Sequence, residues 1–311
     1  MKRGNVLTAN TFPETWDLKT LLDNWHRHLK GMVERAETTL PFERLLFQSQ
    51  TDAVYENALS NWSKMSGEER RHTWDTLKTV SENNSDEMLP ICVRCGICCK
   101  NGSPTLAKED LELVANGQIP LEVLMTVREG EPVHSRTMDK VFYLPEEKIK
   151  LREHSGSKAC VMYDDETKSC GLHPNKPAQC RAQACWDPAL GSEQAMAPAL
   201  HRKEVLDGAE GILTLLDAHE KRVPFAKVVG AFDTLAREGG KNVAEILDLL
   251  AFDDHVREFA QKEFTLPEAA LDFVFGRRLT ARMPLFGFKV VKEADGTHVL
   301  RPMDDNDAVE G

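Results

Sequence analysis

The sequence predicts a mainly α-helical protein in which an irregular cysteine-rich metal-binding module lies between two helical segments, with a small β-hairpin near the C-terminal end. Three observations predict it. Apolar residues recur at threes and fours on both sides of the middle of the chain. All eight cysteines fall between Cys92 and Cys185. That same stretch is short in helical periodicity and rich in glycine, proline and lysine. With 311 residues, of which 41% are apolar, the chain has the material for ordinary buried cores.

In the first region, residues 1–88, Trp16, Leu18, Leu21, Leu22, Trp25 and Leu29 mark one amphipathic helix starting near Pro13. A second carries Leu45, Leu46, Val54 and Leu59. A third opens at Ser66 with Glu69 three residues on, a capping box ahead of Trp74 and Leu77. The polar run Ser81 to Asp86 reads as a linker. The second region, residues 89–188, holds the cysteines, one short helix from Ala107 to Gly117 and another after Pro120. Metal ligation is expected to substitute there for a conventional core. In the third region, residues 189–284, helices are expected over Val205 to Leu216, Val228 to Arg237, Val243 to Phe252 and Pro267 to Leu279, with Gly239-Gly240 ending the second. The last region, residues 285–311, contains the hairpin, with Asp295-Gly296 as its turn, and then an acidic tail from Met303 onward.

Composition narrows the function. A net charge of −11 repels nucleic acid and anionic lipid at long range, and Arg70-Arg71 and Arg277-Arg278 read as solvated faces of mixed-charge helices. The chain shows neither an eighteen-residue apolar stretch nor a signal-peptide pattern at its start. A soluble, cytoplasmic protein is therefore expected, with a protein or small-molecule partner and with no nucleic acid and no membrane.

The cytosol keeps thiols reduced, so clustered cysteines there point to metal rather than to disulfides. Cys92, Cys95 and Cys98 repeat a two-residue gap that lets the chain turn and aim successive sulfurs at one point, and Gly96 carries no Cβ to obstruct the turn. Arg94 and Lys100 offset part of the negative charge. Cys99 adjoins Cys98, and both sulfurs on one metal would strain the backbone, so one of the pair is expected to ligate while the other serves a second metal or the surrounding shell. Cys160, Cys170, Cys180 and Cys185 supply the rest, and eight thiolates suffice for two four-ligand sites. A triple run plus a remote fourth cysteine is similar to ferredoxin-style ligation of an iron-sulfur cluster, while zinc accepts the same thiolates in a tetrahedron. His173 is a further candidate ligand of mixed type.

These residues resemble the CxxCxxCC, or YkgJ-type, cysteine-cluster family, which is described as zinc- or iron-chelating. The resemblance covers about the middle third of the chain. It rests on Cys92 to Cys99 with Gly96, on Pro104-Thr105-Leu106 followed by Glu109-Asp110-Leu111, and on Cys160, Cys170 and Lys176-Pro177-Ala178-Gln179-Cys180-Arg181. Lys176 stands where the family has arginine, and Gly171-Leu172-His173 stands where an Ile-Tyr pair is common. Cys185 is similar to an additional cysteine of some members. The resemblance implies chelation and little about activity; flagellin lysine methylases carry a related pattern, which keeps a metal-dependent modification enzyme in view by analogy alone.

Other chemistries find little support. Gly239-Gly240-Lys241-Asn242 lacks the first glycine and the hydroxyl residue of a P-loop, and His219-Glu220 lacks the second histidine of a zinc-protease motif. His26 and His28 face different ways on a helix. The reading that follows is a metal-binding protein, electron-carrying or partner-binding, with one or two zinc or iron-sulfur sites. The alternatives are an enzyme using acids or bases such as Asp164, Asp165, Glu166 or His173, and a redox sensor working through reversible disulfides.

Overall fold

The computed structural model describes residues 12–35, 40–86, 91–135, 140–183, 197–239, 242–293 and 297–304. Cys185, Gly240-Lys241, the Asp295-Gly296 turn and the tail beyond Asp304 lie outside the described residues. The chain divides into two compact units, one running up to Ile97 and the other formed by Cys98–Gln183 together with the chain from residue 197 onward.

The first unit is a helical bundle of α1 (Leu18–Glu34), α2 (Phe42–Gln50), α3 (Ala53–Asn61) and α4 (Gly67–Asp86). Its helices start where their caps are. Asp17 accepts from Thr20 N at 2.7 Å and Asp52 from Val54 N at 2.8 Å. The expected capping box is present, with Ser66 N donating to Glu69 and Glu69 N donating to the Ser66 hydroxyl. Trp16, Leu21, Trp25, Leu29, Met32, Leu45, Trp62 and Leu77 make one buried cluster, and Trp62 Nε1 donates to Trp16 O at 2.9 Å. The polar run Ser81 to Asp86 is helix, forming the last turns of α4, and not the linker its composition suggests. The cause is tertiary. Ser81 is fully buried, donates to Lys78 O at 2.7 Å and lies 3.0 Å from His28 Nε2, so its hydroxyl is satisfied without leaving the helix.

The second unit contains α5 (Ile97–Lys100), α6 (Leu111–Ala115), β1 (Leu124–Val127), β2 (Pro132–Ser135), β3 (Lys140–Tyr143), β4 (Lys148–Leu151), β5 (Tyr163–Asp164), β6 (Ser169–Cys170) and α7 (Ala178–Ala182). It continues with α8 (Arg202–Val205), α9 (Glu210–Arg222), α10 (Phe225–Glu238), α11 (Val243–Phe264), α12 (Glu268–Phe275), β7 (Phe288–Lys292) and β8 (His298–Pro302). The strands pair antiparallel in twos, β1 with β4, β2 with β3, β5 with β6 and β7 with β8. The last pair is the expected C-terminal hairpin, with Val290 opposite Leu300. The mainly α-helical class with small antiparallel pairs is thus the observed one.

Several elements differ from the expectation for stated reasons. The expected short helix after Pro120 is a single 3₁₀ turn, Leu121–Val123, which leads straight into β1. Gly208, at φ +82°, divides the segment read as one helix into α8 and α9. Helix α11 runs on to Phe264 because the polar residues that interrupt its apolar pattern are buried and paired: Asp253 lies 2.8 Å from His219 and 3.1 Å from Arg257. Arg277 is no solvated helix face; it follows Gly276, beyond α12, and binds Glu131 at 2.5 Å.

The cysteine module has a conventional core. Leu106, Val114, Leu124, Ile149, Leu151, Cys160 and Leu172 pack in one buried cluster with Leu216, Val256, Leu271, Phe273 and Phe275 of the C-terminal helices. Burial of apolar surface contributes about 25 cal/mol per Å², so the module has a source of stability besides ligation. A second cluster joins Phe225, Phe232, Ile246 and Leu249 to Met283, and the hairpin leans on it through Phe288, Val290 and Leu300. Among the described residues, no helix is long and apolar enough to cross a membrane.

Candidate metal centre

Five cysteines of the second unit, Cys98, Cys99, Cys160, Cys170 and Cys180, line one cavity of about 80 Å³. Local structure brings each one there. Cys98 and Cys99 sit on α5, and Cys160 N donates to Cys99 O at 2.8 Å, which fastens the second half of the module to the first. Beyond Cys160 the chain turns, with Tyr163 N donating to Cys160 O, and the β5–β6 hairpin sets Cys170 opposite Tyr163. Gly171 N bonds to Met162 O at 2.9 Å, and a Cβ at Gly171 would lie 3.0 Å from Met162 Cε, so the hairpin closes tightly there. Lys100 holds Asp165 at 3.2 Å, tying α5 to the same hairpin.

Cys180 lies on α7, and two buried anchors fix that helix. Asp110 is fully buried, accepting from Ala107 N at 2.9 Å and from Ala178 N at 2.8 Å. Gln179 Oε1 accepts from Thr105 N at 2.5 Å and from the Thr105 hydroxyl at 3.0 Å. Arg181 reaches Glu109 at 3.1 Å and donates to Lys176 O at 2.7 Å. The Pro104-Thr105-Leu106 and Glu109-Asp110 segment is therefore a bracket for the Cys180 helix, a role that the acidic residue signals in the sequence and that Gln179 does not.

Cys98 Sγ and Cys99 Sγ are 3.9 Å apart. A tetrahedron with metal–sulfur bonds of about 2.3 Å has edges of about 3.8 Å, a separation close to that of this pair. Burial pushes Cys160 up to about 11, and burial with the charges of Cys98, Cys160 and Cys170 pushes Cys180 up to about 12. Cys99 is raised by its hydrogen bond with Cys98, which in turn holds the Cys98 thiol below its ordinary value. A cation is the partner such a collection of sulfurs calls for, since each thiol that binds it releases a proton and the repulsion is relieved. The donor set fits zinc or iron in kind. In position it is open: among the described residues no three His, Cys, Asp or Glu side chains already stand close enough to hold an ion.

Cys92 and Cys95 lie on the loop of the first unit just before α5, where Gly96 takes φ +78°, the turn its missing Cβ permits. Asp164 caps its own turn by accepting from Glu166 N and Thr167 N, and Asp165 is occupied by Lys100 and Lys168. These, with Glu166 and His173, do not line the cavity. Leu151, Met162, Tyr163 and Leu172 do, and supply an apolar wall that spacing alone did not reveal.

Searches of curated proteins and of solved structures found no match. Residues 91–199 match the sequence profile of the CxxCxxCC family, described as "Putative zinc- or iron-chelating domain". The module that gathers the five thiols, read through its cysteine order, its bracket and this match, is similar to the CxxCxxCC family over residues 91–199.

Proposed function

We propose that this protein chelates zinc or iron in the cavity of the second unit, with Cys98, Cys99, Cys160, Cys170 and Cys180 as the thiolate donors. The observation that carries the reading is the convergence on one cavity of five thiols from four separate stretches of the chain. Cys92, Cys95 and Cys185 complete the eight-cysteine set of the proposal and allow for a second site. A bound zinc supplies a closed structural tether, whereas iron or an iron-sulfur cluster supplies an electron-transfer centre.

The chain's own residues do the positioning. Asp110 and Gln179 hold α7 so that Cys180 faces its partners, β5–β6 sets Cys170, and Leu151, Met162 and Leu172 limit water around the sulfurs. The cavity's size favours chelation over catalysis at this spot. At about 80 Å³ it is well below the roughly 300–1,000 Å³ of ligand pockets. Electron carriage or partner binding is accordingly preferred to a modification reaction.

The test is metal and acid-labile sulfide content, with an absorption spectrum, on protein purified without oxygen. Stoichiometric zinc or iron is expected, falling by at least half in Cys170→Ser and Cys180→Ser. Metal-free wild-type protein, or serine variants with full metal content, would overturn the assignment.

A further inference from the structure

In the second unit a cleft of about 680 Å³, distinct in its lining from the cysteine cavity, is lined by five arginines, Arg152, Arg257, Arg277, Arg278 and Arg282, and by the loop 154–157. In a chain of net charge −11 such a concentration of guanidinium groups needs a cause. Part of it is internal. Arg257 is fully buried and committed, to Asp253 at 3.1 Å, to Gly276 O at 2.7 Å and to Asp272 at 3.4 Å, and Arg152 donates to Ala269 O at 3.3 Å and lies 3.7 Å from Asp272.

Arg277 and Arg282 are not accounted for in that way. Both reach the same oxygen of Glu131, at 2.5 and 3.0 Å, and Glu131 is fully buried with its other oxygen taken by Arg128 N at 3.1 Å. One carboxylate therefore serves two guanidinium groups, leaving an excess positive charge in a mostly buried setting. The Nε atoms of both arginines are buried and lack a hydrogen bond; the Arg282 contact to Glu131 is close without being a bonded geometry. Burial, followed by the charge of Arg277, lowers Arg282 to about 10, the mark of a cation short of counter-charge. The cleft's own acids do not supply it. Glu153 is bound by Lys150 at 2.8 Å and by Ser103 N, and Glu268 is exposed at the start of α12.

We infer that this cleft binds a small molecule through an oxyanion, a phosphate or a carboxylate, with Arg277 and Arg282 as the clamp and Arg278 at the rim. The planar guanidinium fork matches both oxyanions, and its bonds to them are the strong, charge-assisted kind. The volume lies within the range of small-molecule pockets, and Ser155 and Ser157 are among the residues that line it. The site shares no residue with the cysteine cavity, so the inference stands apart from the metal reading.

The experiment is calorimetric titration of the full chain with pyrophosphate and, separately, with citrate. Saturable binding of one equivalent is expected, at least about tenfold weaker in Arg277→Gln and in Arg278→Gln, the loss of one charge-assisted contact. Tighter binding of pyrophosphate identifies a phosphate ligand, and tighter binding of citrate a carboxylate one. Arg278 is partly exposed, so its variant keeps the test meaningful if Arg277→Gln does not fold. Absence of saturable binding by both probes, or binding unchanged in both variants, overturns the inference.

Discussion

Asp110→Asn isolates the bracket that sets Cys180. The carboxylate accepts two backbone N–H groups, Ala107 N and Ala178 N, in a fully buried position. Asparagine has the same shape but one acceptor oxygen, so one N–H loses its partner and meets an NH₂ donor instead. Hydrogen bonds to a charged acceptor contribute about 1.5–3 kcal/mol, and leaving a buried donor unpaired costs a similar amount, which puts the change at about 2–4 kcal/mol. For a unit of this size that is a fall in Tm of about 4–15 °C. Loosening α7 moves a thiol of the proposed metal set, and losing such outer support costs on the order of 10–100-fold in metal affinity. Thermal unfolding followed by circular dichroism reads the first effect, and competition with a chromogenic chelator reads the second. If Asp110→Asn melted within a degree of wild type and kept its metal against the chelator, the bracket would not be what positions Cys180.

Three further outcomes are expected. Gly276→Ala places a Cβ 2.6 Å from Arg128 Cδ at a residue with φ +76°, so a loss of about 2–4 kcal/mol should appear as a lower denaturant midpoint, and an unchanged midpoint would remove the argument. Acid should destabilise in two stages. Burial holds His219 below its ordinary value despite its bond to Asp253, while Glu220, which burial alone would raise, is held at about 2 by Arg128 and Arg202. Both groups bind protons more weakly folded than unfolded, so their stability is present at neutral pH. It is lost first as pH falls below about 6.5, then between about 4.5 and 2, with Glu220 contributing at most about 3 kcal/mol; a Tm that stays flat from pH 7 to pH 3 would contradict this. Cys170→Ser should keep native circular dichroism while losing metal, because the module's core is apolar; its unfolding would show that ligation is what holds the module together.

The parts legible in the sequence were those whose signal is local. The Ser66 box and the Val290–Leu300 hairpin each sit within a short stretch, and each is found where the pattern places it. Distance hid the rest. Helix α11 looked finished at Phe252 because Asp253 and Arg257 break the apolar stripe, yet their partners, His219 and the Gly276 carbonyl, lie far along the chain. Ser81 looked like linker because His28 was out of sight. The ladders β1–β4 and β5–β6 are four and two residues long, too short to show a period. Ligation was expected to replace a core in the module because the residues that complete that core, Leu271 to Phe275, belong to a helix beyond it. Asp110 was noticed as part of a motif, but what it holds, the N–H of Ala178, could not be seen.

That shared core has a consequence during synthesis. The Thr126 hydroxyl donates to Phe273 O at 2.6 Å across 147 positions, and Phe273 follows Cys180 by 93 residues. At about 5–20 residues per second, the thiols emerge from the ribosome roughly 5–20 s before the helix that completes their shelter. Throughout that interval a nascent chain presents soft sulfur ligands while the core behind their apolar wall is incomplete. The proposed thiolate set is thus complete in the chain well before the last helices that shelter it have been made.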